Sequence, residues 1–416
     1  MLYCVAEGHL NDQEAEEALK AAGDALELFR SKGNSSGTAD ALRVVISATR
    51  LKGQAEEAIG LATQELESFK ATKDKKGEAA MLFATGEIHL DECRPDQALR
   101  LFKDSMAVFQ AADDKKMQGI VSLSMASTHT MLDSPADAIE AARVAVPLFE
   151  EAGDKKGEGK AYLALAHSHL TYEAPEDALE AARKALAAFE QVEDERSQVM
   201  ALNALAAAQL DLEDPDEARR YANEASAMAR RVTFVRGEVD SVNMLVSIQT
   251  ERGDRQEAIE QAKEGVIWAQ KNGTKRAEAA ALDILVTAHL VSRDGESALR
   301  AGWEAMEIMR DLGDKRGHAA SLLRVSMLHL VSNQEDWAVS AVEEALEIAR
   351  ELEDKKGEAR ALYTQIFVHL QKEESKEALT MAAKAERLFK ETCDRRMMAS
   401  TLLAASRVHL ADGNAK

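Results

Sequence analysis

Apolar residues recur along this chain three and four positions apart, the spacing of one face of an α-helix. Tyr162, Leu165, Ala166 and His169 share such a face and predict a helix over roughly 157–171. The short polar turn TYEAP follows, and its Pro175 sits where a second helix should take its first residue. That second helix is predicted to run to about Val192 and to end in the polar loop EDERS. One such pair cannot bury both apolar faces, so pairs must stack.

The pair recurs. The loops KDKKG (73–77), GDKKG (153–157), GDKRG (313–317) and EDKKG (353–357) start at multiples of forty residues, and the chain aligns with itself at that shift without insertion. Alanine fills the strongest column: Ala18, Ala58, Ala98, Ala138, Ala178, Ala218, Ala258, Ala298, Ala338 and Ala378. A second small column lies two turns later on the same face, through Ala25, Ser105, Ala145, Ala185, Ala225, Gly265, Ala305, Ala345 and Ala385. Small residues there let a neighbouring helix approach closely, and the fixed spacing repeats that contact. Pro95, Pro135 and Pro215 match Pro175 in register, whereas Pro147 falls inside a helix and predicts a local kink.

These patterns predict an all-α chain, a right-handed α–α superhelical solenoid of about ten 40-residue helix–turn–helix repeats. Full repeats are expected at about 37–76, 77–116, 117–156, 157–196, 197–236, 237–276, 277–316, 317–356 and 357–396, with incomplete ones at 1–36 and 397–416. The opening MLYCVAEGHL aligns with MLFATGEIHL at 81–90, and ADGNAK aligns with the turn at 51–56. A window cut from a longer array is therefore expected, with Leu402, Leu403 and Leu410 poorly covered.

The repeat resembles the tetratricopeptide family. Tyr162, Leu165, Ala166 and His169 match the first half of its signature, and Ala98, Phe102 and Ser105 match the second. The forty-residue unit resembles the long-repeat subgroup that includes kinesin light chains and Partner-of-Inscuteable-type adaptors. The resemblance implies a non-enzymatic interaction scaffold that binds a partner peptide or helix on a concave surface, as part of a larger assembly. The alternatives are an array accessory to catalytic domains of a larger enzyme, and a signalling adaptor switched by peptide.

Composition narrows the partners. The 416 residues carry a net charge of −21, which repels phosphate backbones and argues against nucleic acid. No apolar run is long enough for membrane insertion, and the N-terminus lacks the regions of a signal peptide. Cys4, Cys93 and Cys393 read as free thiols in a reducing, cytoplasmic setting. No nucleophile elbow, P-loop, dinucleotide turn or CxxC occurs, so neither catalysis nor a cofactor is expected.

Eight histidines share one column: His9, His89, His129, His169, His289, His329, His369 and His409, with Thr49, Gln209 and Gln249 in the gaps. One residue per repeat cannot converge on a metal ion, so the column reads as structural, each imidazole hydrogen-bonding a neighbouring helix.

Three surfaces are candidates for partner contact. Basic residues between repeats form one edge, led by Lys75, Lys76, Lys115, Lys116, Lys155, Lys156, Lys315, Arg316, Lys355 and Lys356. That edge reads as a docking site for an acidic partner or for salt-sensitive self-association. The favoured reading is charge neutralised by the adjacent Asp and Glu of each loop. The tetratricopeptide groove would hold Phe83, Ile120, Leu123, Leu163, Met200, Asn203, Asn243 and Asp283, its apolar part either seating a partner or packing within the solenoid. Finally, the loop RVTFVRG should expose Thr233, Phe234 and Val235 where other loops are charged, as a contact site or as drift.

Overall fold

A computed structural model describes residues 2–11, 15–92, 94–392 and 394–411. The chain divides into two compact units, Met1–Ser168 and His169–Lys416, and its described residues form twenty-one α-helices and no strand. The first unit contains α1 (Leu2–Asn11), α2 (Ala15–Ser31), α3 (Ser35–Leu51), α4 (Ala55–Thr72), α5 (Lys75–Asp91), α6 (Pro95–Ala111), α7 (Lys115–Met131) and α8 (Pro135–Ala152). The division falls near the end of α9 (Lys155–Thr171). The second unit continues with α10 (Pro175–Gln191), α11 (Glu195–Asp211), α12 (Pro215–Arg231), α13 (Val235–Arg252), α14 (Arg255–Asn272) and α15 (Lys275–Val291). It closes with α16 (Gly295–Asp311), α17 (Lys315–Val331), α18 (Glu335–Glu351), α19 (Lys355–Gln371), α20 (Ser375–Glu391) and α21 (Arg395–Ala411). Odd-numbered helices open the repeats and even-numbered ones complete them. Each unit is thus a stack of helical hairpins, the tetratricopeptide type of solenoid.

The loops explain where the helices begin. The aspartate of each KDKKG-like loop caps the next helix: Asp74, Asp154, Asp314 and Asp354 accept the backbone N–H of Gly77, Gly157, Gly317 and Gly357 at 3.1, 2.9, 2.9 and 3.0 Å. The opening helix therefore starts at Lys155, two residues before the predicted 157. Pro95, Pro135, Pro175 and Pro215 each open a second helix, where the missing N–H costs nothing. α8 runs unbroken through Pro147 to Ala152.

The core follows the small columns. Every alanine from Ala18 to Ala378 in the first column is at most 1% exposed, and Ser105, Ala145, Ala185, Ala225 and Ala385 in the second are fully buried. Packed with these columns, Phe83, Phe102, Phe149, Phe189 and Phe389 are sealed from water, each ring stabilising the fold by roughly 1.5–3 kcal/mol. The loop glycine has a packing cause. A Cβ on Gly77 or Gly157 would lie 2.2 Å from the ring of Phe69 or Phe149, so the last aromatic of one repeat rests on the bare first turn of the next.

The divergent loop keeps the common geometry. Thr233 takes the left-handed conformation (φ 51°) that Glu193 and Glu353 take in other loops, despite its β-branch. Phe234 replaces the capping aspartate and offers no side-chain cap. The exposure expected of this loop holds for Thr233 only. Phe234 and Val235 are half-buried: the Phe234 ring covers Gly237, with the Arg196 guanidinium 5.8 Å from its centroid, and Val235 covers Gly273. Cys4 is a free, exposed thiol, whereas Cys93, Cys393 and residues 412–416 lie outside the described residues. No described helix is long and apolar enough to cross a membrane.

Candidate partner-binding surfaces

The predicted groove residues do not share one environment. Phe83 is fully buried, its ring 5.5 Å from that of Phe102, and Leu163 is 6% exposed. Both belong to the core: burial in this column is set by what packs above each residue, and Phe83 lies in the cluster of Phe102, Phe109 and Val121. Ile120 and Leu123 are half-buried, and Met200 is exposed. Asn203 accepts a hydrogen bond from the Ser241 hydroxyl at 3.0 Å, which ties α11 to α13.

Asn243 and Asp283 do come together. With Asp240, Thr287 and Arg324 they line a cleft of about 330 Å³ across the opening helices α13, α15 and α17. Arg324 Nη1 abuts Asp283 Oδ1. Burial pushes the Asp240 carboxyl up from its ordinary value, with Arg236 opposing, and burial works against the charge of Arg324. The cleft thus offers carboxylate acceptors, an amide that both donates and accepts, and a guanidinium fork. Sequence reading missed Arg324. Its column otherwise holds Cys4, Val44, Ala84, Ser124, Ala164, Ala204, Met244, Ile284, Thr364 and Ala404, and the one charged residue among them was the available signal.

The opening helices of the first unit carry a denser charge network. Tyr3 donates to Glu7 at 2.5 Å, Arg43 donates to Tyr3 at 3.0 Å, and Arg50 pairs with Asp91 at 3.2 Å. Burial pushes up the carboxyl of Glu87, with Arg50 and then Arg43 opposing, and it raises the Tyr3 phenol. The contacts of Arg43 with Tyr3 and of Arg50 with Asp91 join neighbouring repeats.

The basic edge is largely engaged within the chain. Lys76, Lys116, Arg316 and Lys356 reach forward to the capping aspartates Asp114, Asp154, Asp354 and Asp394 of the next repeat at 3.4, 3.1, 3.8 and 3.4 Å. Lys75 and Lys155 pair with Glu78 and Glu158 three residues on. Lys115, Lys315 and Lys355 pair with Glu151, Glu351 and Glu391. Lys156 is exposed on the same edge. An acidic partner would have to displace these pairs. The structure adds a pairing that loop-by-loop reading did not anticipate, from one repeat to the next.

The histidine column faces its own turns. His329 Nδ1 lies 2.6 Å from Gln334 Oε1 and His369 Nδ1 2.7 Å from Glu374 Oε2, both partners standing just before the first residue of the helix that follows, with the side chain turned to the imidazole and not to the helix end. His89, His129 and His289 are held below the ordinary histidine value by burial, with the nearby carboxylates Glu92, Asp137 and Asp294 opposing.

Comparison with known proteins agrees with the fold. A family model described as anaphase-promoting complex subunit 5 matches residues 82–158, 186–233, 241–293 and 286–374, together more than half of the chain. No curated protein matches in sequence. Among solved structures, the apo form of RapI is 13% identical and aligns over 85% of this chain and 97% of its own, with a TM-score of 0.53. Aspartyl phosphate phosphatase F from Bacillus subtilis is 14% identical over 83% of this chain and 92% of its own, with a TM-score of 0.50. Kinesin light chain repeats of Podosopora anserina are 15% identical over 46% of this chain and 95% of theirs, with a TM-score of 0.38. At 13% and 14% identity, the likeness to RapI and to aspartyl phosphate phosphatase F is one of fold alone.

Proposed function

We propose, for a chain that belongs to the tetratricopeptide-type repeat family matched as anaphase-promoting complex subunit 5, a non-enzymatic role as a protein-interaction scaffold. It binds an extended segment of a partner on the face of its opening helices. The observation that carries this reading is the cleft of Asp240, Asn243, Asp283, Thr287 and Arg324. An extended peptide presents N–H and C=O groups along both edges, and a surface that alternates acceptors with donors pairs with them without selecting one sequence. The two aspartates against one arginine favour a basic side chain in the bound segment. The family description, that of a subunit of a complex, supports a place in a larger assembly.

Site-directed photocrosslinking tests the reading. A photoreactive residue at Asn243 or Thr287 is expected to capture one partner, whereas the same residue at the exposed Glu260 of α14 captures none. Asn243→Ala combined with Asp240→Ala should weaken that partner's affinity by at least ~10-fold, since buried polar contacts to a bound backbone are lost together. Equal capture from α14 and from the cleft would refute it.

A further inference from the structure

Two of the three tryptophans break the register of the array at one place. Trp337 stands in a column that holds Glu57, Asp137, Asp177, Glu217, Glu257 and Ser297 in other repeats. Trp303 stands in a column of Thr63, Lys103, Arg143, Arg183, Asn223 and Lys263. The Trp303 column is otherwise exposed to water, and the Trp337 column is otherwise exposed or half-buried and polar. The fold therefore needs no aromatic at either position.

The structure brings the two indoles together from α16 and α18, their centroids 6.3 Å apart and their planes at 84°. His329, at the end of α17 between them, lies edge-on to Trp303 at 5.9 Å and nearly parallel to Trp337 at 6.1 Å. Its ring is 3% exposed and is held by Nδ1, which donates to Gln334 Oε1. Trp303 rests on the core around Met306 and Leu322. Trp337 remains 60% exposed, and Val331, two residues past the histidine, 68%. The result is an anchored aromatic corner with one open indole face. Glu304, Glu335 and Asp336 flank the two rings in sequence and enter no ion pair among the described residues.

We propose that the corner formed by Trp303, His329 and Trp337 is a second docking surface, whose occupant is a partner segment bearing an arginine or lysine beside an apolar side chain. The cation sits over the open face of Trp337, where the ring quadrupole attracts it and the acidic first turn of α18, Glu335 and Asp336, complements its charge. The apolar neighbour covers Val331. Rigid, half-exposed aromatics of this kind supply most of the energy at protein interfaces. An acidic or uncharged segment would meet the same rings but leave the carboxylates desolvated and unpaired. The surface uses none of the cleft residues, so the two readings stand or fall separately.

The test is fluorescence anisotropy of a labelled short amphipathic peptide of arginine and leucine, against its glutamate and leucine counterpart, on the full chain. The arginine peptide should bind saturably and the glutamate peptide should not. Trp337→Ser and Trp303→Thr should each weaken binding at least ~10-fold. Ser297 and Thr63 hold those columns elsewhere in this chain, so the repeat accommodates both residues, and Trp337→Ser, at the exposed ring, leaves the core contacts of Trp303 in place. Both peptides are measured on the chain carrying Asp240→Ala and Asn243→Ala, so that the cleft, which also favours a basic segment, does not contribute. Equal affinity for both peptides, absence of saturable binding, or unchanged affinity in the tryptophan variants would overturn the proposal, the last showing mere attraction to an acidic chain.

Discussion

Removing one partner of the buried ion pair between Arg230 and Glu238 should loosen a single junction between repeats, and only when the carboxylate is charged. Arg230 Nε donates to Glu238 Oε1 at 2.7 Å and Ser226 Oγ donates to Oε2 at 2.7 Å. The Glu238 side chain is 1% exposed and that of Arg230 36%. Arg230→Met keeps the length and helix propensity of the side chain but leaves a buried carboxylate with a hydroxyl alone. Breaking a fully buried pair costs about 3–5 kcal/mol. Water already reaches Arg230, so about 2–3 kcal/mol is the working figure after screening. At 1.4 kcal/mol per decade that is a roughly 30- to 150-fold rise in local opening. Repeat arrays open locally, so amide hydrogen exchange in α12 and α13 is the suitable assay.

The pH dependence fixes the cause. Burial raises the Glu238 carboxyl above its ordinary value, with Ser226 and Arg230 opposing. The native state therefore binds that proton more readily than the unfolded chain, and the group's contribution to stability falls as pH rises through the raised value. Without Arg230 the value rises further, so the variant should suffer more at pH 8 than at pH 5. Glu238→Gln in the same chain should restore protection at pH 8. An exchange increase that is the same at both pH values, or below ~3-fold at pH 8, would refute the assignment.

Gly157→Ala should destabilise by about 1–3 kcal/mol, because the added Cβ meets the Phe149 ring at 2.2 Å. Gly60→Ala, with nothing within 4 Å in mid-helix, should stabilise by about 0.5–1 kcal/mol; urea titration reversing that order would discredit the packing role of the loop glycine. The depressed histidines His89, His129 and His289 bind fewer protons in the native state than in the unfolded chain. Stability should therefore decline as pH falls from the ordinary histidine value of 6.5 through their lowered values. His289→Gln, which copies Gln209 and Gln249 of the same column, should flatten that decline in denaturation midpoints, and an unaltered slope would remove His289 from the account.

The helices, their pairing and their near-constant forty-residue step were legible in the residues alone. Local rules set them: an aspartate that caps, a proline that opens a helix, and alanines spaced to let a neighbour approach. Site geometry was less legible, because repeat columns assign a face without telling how deep each side chain sinks. Phe83 and Leu163 share the column of Asn243 and Asp283, yet the apolar pair is drawn into the core while the polar pair stays at a cleft. Burial there is decided by what packs above, a property of three helices at once. The same holds for charge, since Lys76 finds Asp114 thirty-eight residues away only when one repeat is laid on the next. It holds too for Trp303 and Trp337, which sequence separates by thirty-four residues and the turn of α17 brings to within 6.3 Å. Spacing along the chain determined the array; stacking decided which departures from the repeat meet one another, because contact between repeats is made sideways and not along the chain.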